Sequence, residues 1–221
     1  MIALDLFCGA GGASKGLFDA GFDMIRGIDI NPQPEYIDLN EFVQADVFDW
    51  LENPNECDYD FIWASPPCQA YTYASKKARN LGNTYPDLVG ITRELLLKIG
   101  KPFVIENVTT APLRKDLVLC GEMFGLKVIR HRAFEIFGFG CLQPRHIKHR
   151  GTVKSGAYVT VAGHGGDGVA SLNAWQDAIG VDWVRNKKTL AQCVPPKYSE
   201  YIAKQFLGSS LLKQSDKEEK Q

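Results

Sequence analysis

The chain has 221 residues, the length of one large domain, and its 45% hydrophobic and 23% charged residues exclude the disordered and fibrous classes. No apolar run reaches the roughly 18 residues that a membrane span needs, and no charged segment precedes the first apolar run, so we expect a cytoplasmic protein without a secretory signal. Residues 1–125 hold 10 basic and 18 acidic residues and residues 126–221 hold 15 and 8, which favours a polyanion partner for the second half, although scattered surface charge gives the same count.

Predicted strands and helices alternate along the first half of the chain. Short apolar runs predict strands at 2–7, 22–28, 43–46, 61–64 and 103–106. Helical spacing and capping residues predict helices at 14–20, 47–53 and 86–100. Alternation of this kind is typical of an α/β fold with a mostly parallel sheet and helices on both faces.

The pattern changes in the second half. Residues 138–188 are rich in glycine and basic residues and carry a weak helical signal, so we predict a small irregular insertion there. Helical spacing returns in 189–212 around two consecutive prolines, and this segment joins 1–137 in the main domain. The polar segment 213–221 predicts a disordered tail.

A glycine-rich segment, Asp-Leu-Phe-Cys-Gly-Ala-Gly-Gly, spans residues 5–12 between the first strand and the first helix. Such a turn lets a ligand approach the backbone, and the helix N-terminus favours an anion. Ser14 stands where the dinucleotide fingerprint has glycine, which disfavours a pyrophosphate cofactor. Asp29 and Asp46 follow the next two strands. A carboxylate at either position is as typical of a turn or helix cap as of a ribose contact.

Three further motifs place reactive side chains near strand ends. Ser-Pro-Pro-Cys-Gln presents Cys68 rigidly behind two prolines, just beyond a predicted strand. Ile-Glu-Asn-Val ends another strand with Glu106, where burial could raise the pKa enough to hold a proton near neutrality. Arg130 and Arg132 flank His131 and share one face of a strand, although ordinary surface charge is the plainer interpretation.

Taken in order, these motifs resemble those of the DNA cytosine-5 methyltransferase family, over residues 1–135 and 189–208. The resemblance implies a Rossmann-like S-adenosylmethionine-dependent methyltransferase fold, with 138–188 as a target-recognition domain. It also implies S-adenosylmethionine as cofactor, double-stranded DNA as partner, and a monomeric enzyme of bacterial or phage origin, as in restriction-modification systems.

The resemblance assigns a role to each matching residue. Cys68 becomes the nucleophile, Glu106 the acid at the cytosine ring, and Arg132, with Arg130 beside it, the contact to the base oxygen. The residues implied at the cofactor are Phe7, Gly9, Gly11, Gly12, Asp29, Ile30, Asp46, Val47 and Pro67. The residues implied at DNA are Gln69, Thr72, Lys76, Arg145, Gly165 and Gly166.

The implied chemistry explains these residue types. Thiolate addition at carbon 6 makes carbon 5 of cytosine nucleophilic, and an acid at ring nitrogen 3 stabilises the adduct. Arg132 would fix the base oxygen and help to keep Cys68 ionised. Because the base has to leave its stack, the segment 70–85 is predicted to be a mobile loop that closes over it.

Other interpretations stay open. The same chemistry on RNA is one, and a catalytically silent DNA-binding module is another; a nicotinamide oxidoreductase is the least favoured. The glycine-rich loop at 163–168 is equally typical of DNA recognition and of a plain turn. Ala191-Gln192 replaces the Gly-Asn usual in the family, which puts the support of the donor pocket in question.

The six cysteines form no CxxC pair and are expected to be free thiols. Cys141, His146 and His149 lie close enough in sequence to share a metal, but no fourth ligand is evident, so no metal site is predicted.

Overall fold

A computed structural model describes residues 1–38, 41–52, 59–162 and 170–218, with side chains described up to residue 210. The seven strands are β1 (Ile2–Leu6), β2 (Met24–Asp29), β3 (Glu41–Gln44), β4 (Phe61–Ala64), β5 (Phe103–Asn107), β6 (Leu117–Leu119) and β7 (Arg132–Phe137). The helices are α1 (Gly12–Ala20), α2 (Val47–Leu51), α3 (Lys76–Asn80), α4 (Val89–Ile99), α5 (Leu172–Ile179), α6 (Lys187–Gln192) and α7 (Pro196–Glu218).

The strands form one sheet in the order β3-β2-β1-β4-β5-β7-β6. The first five are parallel, and β7 runs antiparallel to both β5 and β6. From β1 the chain proceeds outward through β2 and β3 on one side and continues with β4 and β5 on the other. The place between β1 and β4, where the chain changes from one side of the sheet to the other, is a topological switch point. It opens a crevice at the carboxyl ends of β1 and β4, where open α/β sheets bind ligands.

Two hydrophobic layers cover the sheet because successive side chains of its central strands point to opposite faces. Ala3 and Phe61 belong to a layer that includes residues of α1 and α7. Leu4 and Ile62, each one position further along, belong to a layer that includes residues of α2 and α4. The mostly parallel sheet with helices on both faces is therefore confirmed.

Helix α1 packs against the start of α7 at unusually short range. A Cβ atom on Gly16 would lie 2.1 Å from the carbonyl oxygen of Pro196, and one on Gly12 would lie 2.3 Å from that of Val194. The Ser199 hydroxyl donates a hydrogen bond of 2.9 Å to the carbonyl of Ala13. Only glycine permits this approach, so α7 fixes the position of the helix that follows the glycine-rich segment.

The second half is more regular than its composition predicts. Helix α5 lies inside the segment 138–188, capped by the Ser171 side chain, and its Trp175 and Ile179 are buried with Ala10 in a third hydrophobic cluster. Residues 170–188 thus pack onto the main domain, whereas 138–162 is irregular apart from turns. The division of the chain into a main domain and a target-recognition domain at these boundaries stays a prediction.

Helix α7 continues to Glu218, into the segment 213–221, and the disorder predicted for that segment stays a prediction. Lysine, glutamine and glutamate are good helix formers, so a helix established by packing extends readily through such residues. Within the described ranges, none of the helices combines the length and apolar character that crossing a membrane demands.

Candidate active site

The glycine-rich segment after β1 forms one wall of the crevice. Phe7 and Gly9 both adopt positive φ, 58° and 51°, a conformation that costs energy for phenylalanine and is typical of functional loops. A Cβ atom on Gly9 would meet no atom within 4 Å, so this residue borders open space. A Cβ atom on Gly11 would meet Tyr36 and one on Gly12 would meet Val194, so only the backbone of these two residues, which were predicted at the same ligand, could contact it.

The two aspartates beside this wall serve the backbone. Asp29 accepts hydrogen bonds from the amides of Gly9 at 3.1 Å and Asn31 at 2.9 Å, which holds the glycine turn against β2. Asp46 caps α2 by accepting the amide of Phe48 at 2.8 Å. The helix-cap interpretation of Asp46 is therefore confirmed. Both carboxylates remain partly exposed and keep lone pairs for a ligand.

The other residues implied at the cofactor differ in exposure. Ile30, next to Asp29, is 58% exposed, which is high for an isoleucine. The Val47 side chain is buried in the core, so only its backbone could meet a ligand. Phe7 is half-buried with its ring edge against Phe48 at 6.0 Å, and Pro67 is half-buried beside Cys68.

Beneath the glycine turn lies a buried acid. Asp5 of β1 is fully buried, and burial raises its pKa to about 7, although a hydrogen bond from Ser14 at 2.6 Å opposes the shift. An aspartate with a raised pKa binds a proton more tightly in the folded state, so folding is favoured at low pH. That advantage disappears as the pH rises from about 4 to about 7.

We therefore expect Asp5→Asn to remove a pH dependence of stability. Relative to the variant, the wild-type chain should lose up to about 4 kcal/mol of unfolding free energy between pH 4 and pH 7 and nothing further above it. Denaturant titrations of both proteins across this range measure the difference, in which all other titrating groups cancel. A difference that grows in favour of the wild type with rising pH would contradict the assignment.

The opposite wall carries the cysteine. β4 ends at Ala64, which pairs with Ile105 of β5, and the loop that follows β4 carries Cys68 beyond the sheet edge. Asn107 fixes this loop through a buried hydrogen bond of 2.8 Å from its Nδ2 to the carbonyl of Pro66. Sequence analysis did not predict this role for Asn107.

Glu106 and Arg132 meet next to this loop. Glu106 is 5% exposed in β5, and Nε of Arg132, at the start of β7, lies 2.9 Å from its Oε1. The guanidinium N–H is not aimed at this oxygen, so the two groups form an ion pair in which Oε1 has no well-aligned hydrogen bond among the described residues. A buried carboxyl oxygen without an aligned hydrogen bond costs free energy and is typical of a functional site.

Burial sets the protonation of both reactive groups. It raises the pKa of Glu106, and the nearby Arg132 and Arg130 guanidiniums only partly offset the effect. It also raises the pKa of the Cys68 thiol, which Glu106 raises further and Arg132 lowers. Arg132 thus acts on Cys68 in the expected direction but does not keep it ionised in the free protein. The site holds a neutral thiol and a carboxyl that retains its proton more readily than usual.

Arg130, which was predicted to lie beside Arg132 at the base, is bound to backbone carbonyls. It is 7% exposed, and it donates to the carbonyls of Val161 at 3.1 Å and Ala191 at 2.7 Å. Arg130 therefore joins β7 to α6 and to the irregular segment, which makes it a positioning residue. Because Ala191 contributes a backbone carbonyl, the replacement of the usual Gly-Asn leaves this contact intact.

The segment after Cys68 is folded back on itself. Arg79 donates to the carbonyls of Gln69 at 2.6 Å and Thr72 at 2.9 Å, and Thr110 donates to that of Tyr71 at 3.0 Å. These bonds hold the segment predicted to close over a base. Thr72 is half-buried and Lys76 exposed beside this loop.

Arg145 lies apart in the irregular segment and is exposed. Gly165 and Gly166 lie outside the described residues, as does the rest of the glycine-rich loop at 163–168.

Comparisons with known proteins concern the family and the fold of the chain. The model of a family described as C-5 cytosine-specific DNA methylase matches residues 1–116, more than half of the chain. The Type II methyltransferase M.HgiGI of Herpetosiphon aurantiacus is 31% identical over 52% of this chain and 96% of its own. Type II methyltransferase M1.HphI of Haemophilus parahaemolyticus is 31% identical over 57% of this chain and 38% of its own.

Three of the curated relatives are longer proteins, of which the chain spans 30–52%. Among solved structures, the Entamoeba histolytica methyltransferase EhMeth aligns with a TM-score of 0.58 over 94% of this chain and 96% of its own, at 12% identity. This likeness concerns the fold alone, and it confirms the Rossmann-like methyltransferase fold class.

Proposed function

Since the chain belongs to the C-5 cytosine-specific DNA methylase family, we propose that it transfers a methyl group from S-adenosylmethionine to carbon 5 of a cytosine in double-stranded DNA. The observation that carries the proposal is the buried Glu106 carboxyl. Its Oε1 lacks a well-aligned hydrogen bond beside Arg132, in electrostatic range of a thiol at the edge of the switch-point crevice. A flipped cytosine offers a ring nitrogen and an oxygen that match such a pair.

The residues around the crevice fit the methyl donor. Gly9 borders open space, Ile30 exposes an apolar face, and Asp29 and Asp46 present carboxylates on neighbouring strand ends. Apolar contacts suit an adenine ring, and carboxylates suit ribose hydroxyls and an exocyclic amine. When bound, S-adenosylmethionine supplies an electrophilic methyl group. We propose that Phe7, Asp29, Ile30 and Asp46 hold its adenosine part and that Gly9 lies beside the rest.

In the proposed mechanism each reactive side chain acts on the base. Cys68 gives its proton to water once the substrate is bound, and the thiolate adds to carbon 6, which makes carbon 5 nucleophilic. Glu106 holds a proton at ring nitrogen 3, and its raised pKa suits this task near neutral pH. Arg132 donates to the base oxygen and keeps Glu106 in place. Carbon 5 takes up the methyl group, and transfer of the carbon 5 proton to water then expels the thiolate and restores the ring.

DNA would lie across the carboxyl edge of the sheet. Gln69, Thr72 and Lys76 follow the nucleophile, and the exposed Arg145 lies in the irregular segment, so these groups suit phosphate and base contacts. We propose that the protein acts as a monomer in a bacterial cytoplasm, as a modification enzyme. RNA is the alternative substrate, and it enters the test below.

The direct test is expression in a host that lacks cytosine methylation. Sequencing that maps 5-methylcytosine should find a short modified motif in host DNA, and cells that express Cys68→Ala should show none. Modified cytosines confined to RNA would establish the alternative substrate. Unmodified DNA and RNA alongside a folded, donor-binding protein would overturn the proposal.

The cofactor pocket has its own test. S-adenosylhomocysteine should raise the melting temperature, because a ligand that binds only the folded state stabilises it, by about 2.7 kcal/mol at a hundredfold excess over Kd. Asp29→Ala should weaken binding at least about tenfold, since one charge-assisted hydrogen bond contributes roughly 1.5–3 kcal/mol. Calorimetry with Asp38→Ala, an exposed aspartate outside the crevice, is the control. Equal losses of affinity in both variants would contradict the placement of Asp29 in the cofactor pocket.

A further inference from the structure

A second cluster of reactive side chains lies at the open end of the β6–β7 pair. Cys120 follows β6 and His131 precedes β7, and the register that pairs Leu119 with Arg132 sets these two residues opposite each other. His146 and His149 approach them from the irregular segment after β7. One ligand atom from each of the four residues lies within 4.8 Å of every other.

The contacts of three consecutive residues separate this cluster from the active site. Arg130 reaches Ala191, and Arg132 reaches Glu106. His131, between them, instead stacks its ring on that of His146, with the ring centroids 5.3 Å apart. The cluster is therefore a different site from the crevice, and the proposed methyl transfer uses none of its four residues.

The distances suit a tetrahedral metal. The Cys120 Sγ lies 3.5 Å from Nε2 of His149, and Nε2 of His131 lies 3.1 Å from Nε2 of His146. With zinc–sulfur bonds of about 2.3 Å and zinc–nitrogen bonds of about 2.0–2.1 Å, a tetrahedron has edges of about 3.6 Å and 3.3 Å. A thiol–imidazole hydrogen bond would explain the first pair and an imidazole–imidazole hydrogen bond the second. Neither bond requires that the four ligand atoms converge on one point.

We propose that Cys120, His131, His146 and His149 bind a structural zinc ion. Cys120 would bind as the thiolate and release its proton to water, so the site carries one ligand charge against two on the metal. Four protein ligands close the coordination shell, which is typical of structural and not catalytic zinc. This departs from the expectation of no metal site. The proposed ligand set contains Cys120 in place of Cys141, whose sulfur accepts a hydrogen bond from Gln205 at 3.0 Å.

The zinc would anchor the middle of a segment that hydrogen bonds already hold at its two ends, from Gln143 to Val118 and from Arg130 to Val161. Residues 138–162 form no strand or helix, and two of the four ligands come from this stretch. The exposed cations Arg145, Lys148 and Arg150 flank the two histidines, so a metal would hold them on a fixed surface. Thus the proposed zinc joins the irregular segment to the sheet edge next to Arg132.

Metal analysis of untagged protein tests the proposal. Wild-type protein should contain one equivalent of zinc, and cobalt-exchanged protein should show tetrahedral d–d absorption with a thiolate-to-cobalt charge-transfer band. His146→Ala, at an exposed position, should lose most of the metal, and Cys120→Ser should lose the charge-transfer band. Cys141→Ser is the matched control and should keep both. A wild-type protein that takes up neither zinc nor cobalt, or equal metal loss in Cys141→Ser, would overturn the assignment.

Proteolysis tests the wild-type protein, so its result does not depend on whether a variant folds. Chelation should speed tryptic cleavage after Arg145, Lys148 and Arg150 at least about tenfold, because the metal no longer closes the segment. Mass spectrometry locates the cuts, and added zinc should reverse the effect. Cleavage rates that chelation leaves unchanged would show that the segment is held without metal and would contradict the anchoring role.

Discussion

Duplex DNA that carries 5-fluorocytosine at the target should trap this protein through Cys68, in the presence of the methyl donor. The fluorine replaces the proton whose loss expels the thiolate, so the reaction stops as a covalent complex that survives denaturant. Cys68→Ser should abolish the complex and reduce methyl transfer by several orders of magnitude, because a hydroxyl is far less ionised than a thiol and a weaker nucleophile. Denaturing gels and peptide mapping measure the outcome.

The matched control is Cys141→Ser, which also removes a half-buried thiol but far from the crevice. It should form the complex at the wild-type rate. Cys8 and Cys193 are buried, and Cys193 lies with Ala191 in the third cluster, so their conservative variants should also retain the complex. An adduct on another cysteine, or methylation by Cys68→Ser near the wild-type rate, would show that the mechanism is wrong.

Glu106→Gln should separate binding from chemistry. The amide keeps the size of the side chain and one oxygen acceptor, but it cannot supply an acid proton. We expect the rate of adduct formation to fall about 10²- to 10⁴-fold, the usual contribution of general acid catalysis, while DNA affinity changes little. Single-turnover kinetics with excess enzyme measure the chemical step without product release.

Glu135→Gln is the control for this variant. Glu135 is a buried glutamate of β7 that pairs with Arg93 at 2.8 Å, away from the cysteine. Its loss should reduce stability and leave the single-turnover rate of folded protein near the wild-type value. If both variants slow the reaction equally, Glu106 acts through the fold and not on the base.

Sequence analysis predicted the elements that depend on local signals. The strand at 61–64 was correct, and α7 begins at one of the two prolines around which helical spacing was predicted to return, since an apolar run and a proline each act on adjacent residues. Strand β6 was missed because three residues give no periodicity. Helix α5 was missed although Ser171 and Gly180 mark its ends, because the surrounding segment is rich in glycine.

The site was predicted in part for the same reason. Cys68, Glu106 and Arg132 were singled out because each lies near the end or the start of a strand, and the sheet brings such positions to one edge. The hydrogen bond from Asn107 to Pro66 and the bridge from Arg130 to Ala191 join residues 41 and 61 positions apart. Contacts over such separations leave no periodic pattern in a sequence. The convergence of Cys120 with three histidines depends on strand register and loop path in the same way.

The close packing of α1 against α7 has a consequence for the order of folding. Ser199 and Ala13, which form a hydrogen bond across this contact, lie 186 residues apart in the chain. During synthesis, the glycine face of α1 therefore stays uncovered until nearly 200 residues have left the ribosome. Contacts between such distant residues form slowly, and an uncovered helix face is open to wrong partners in the meantime. The turn beside Gly9 is translated early and stabilised late.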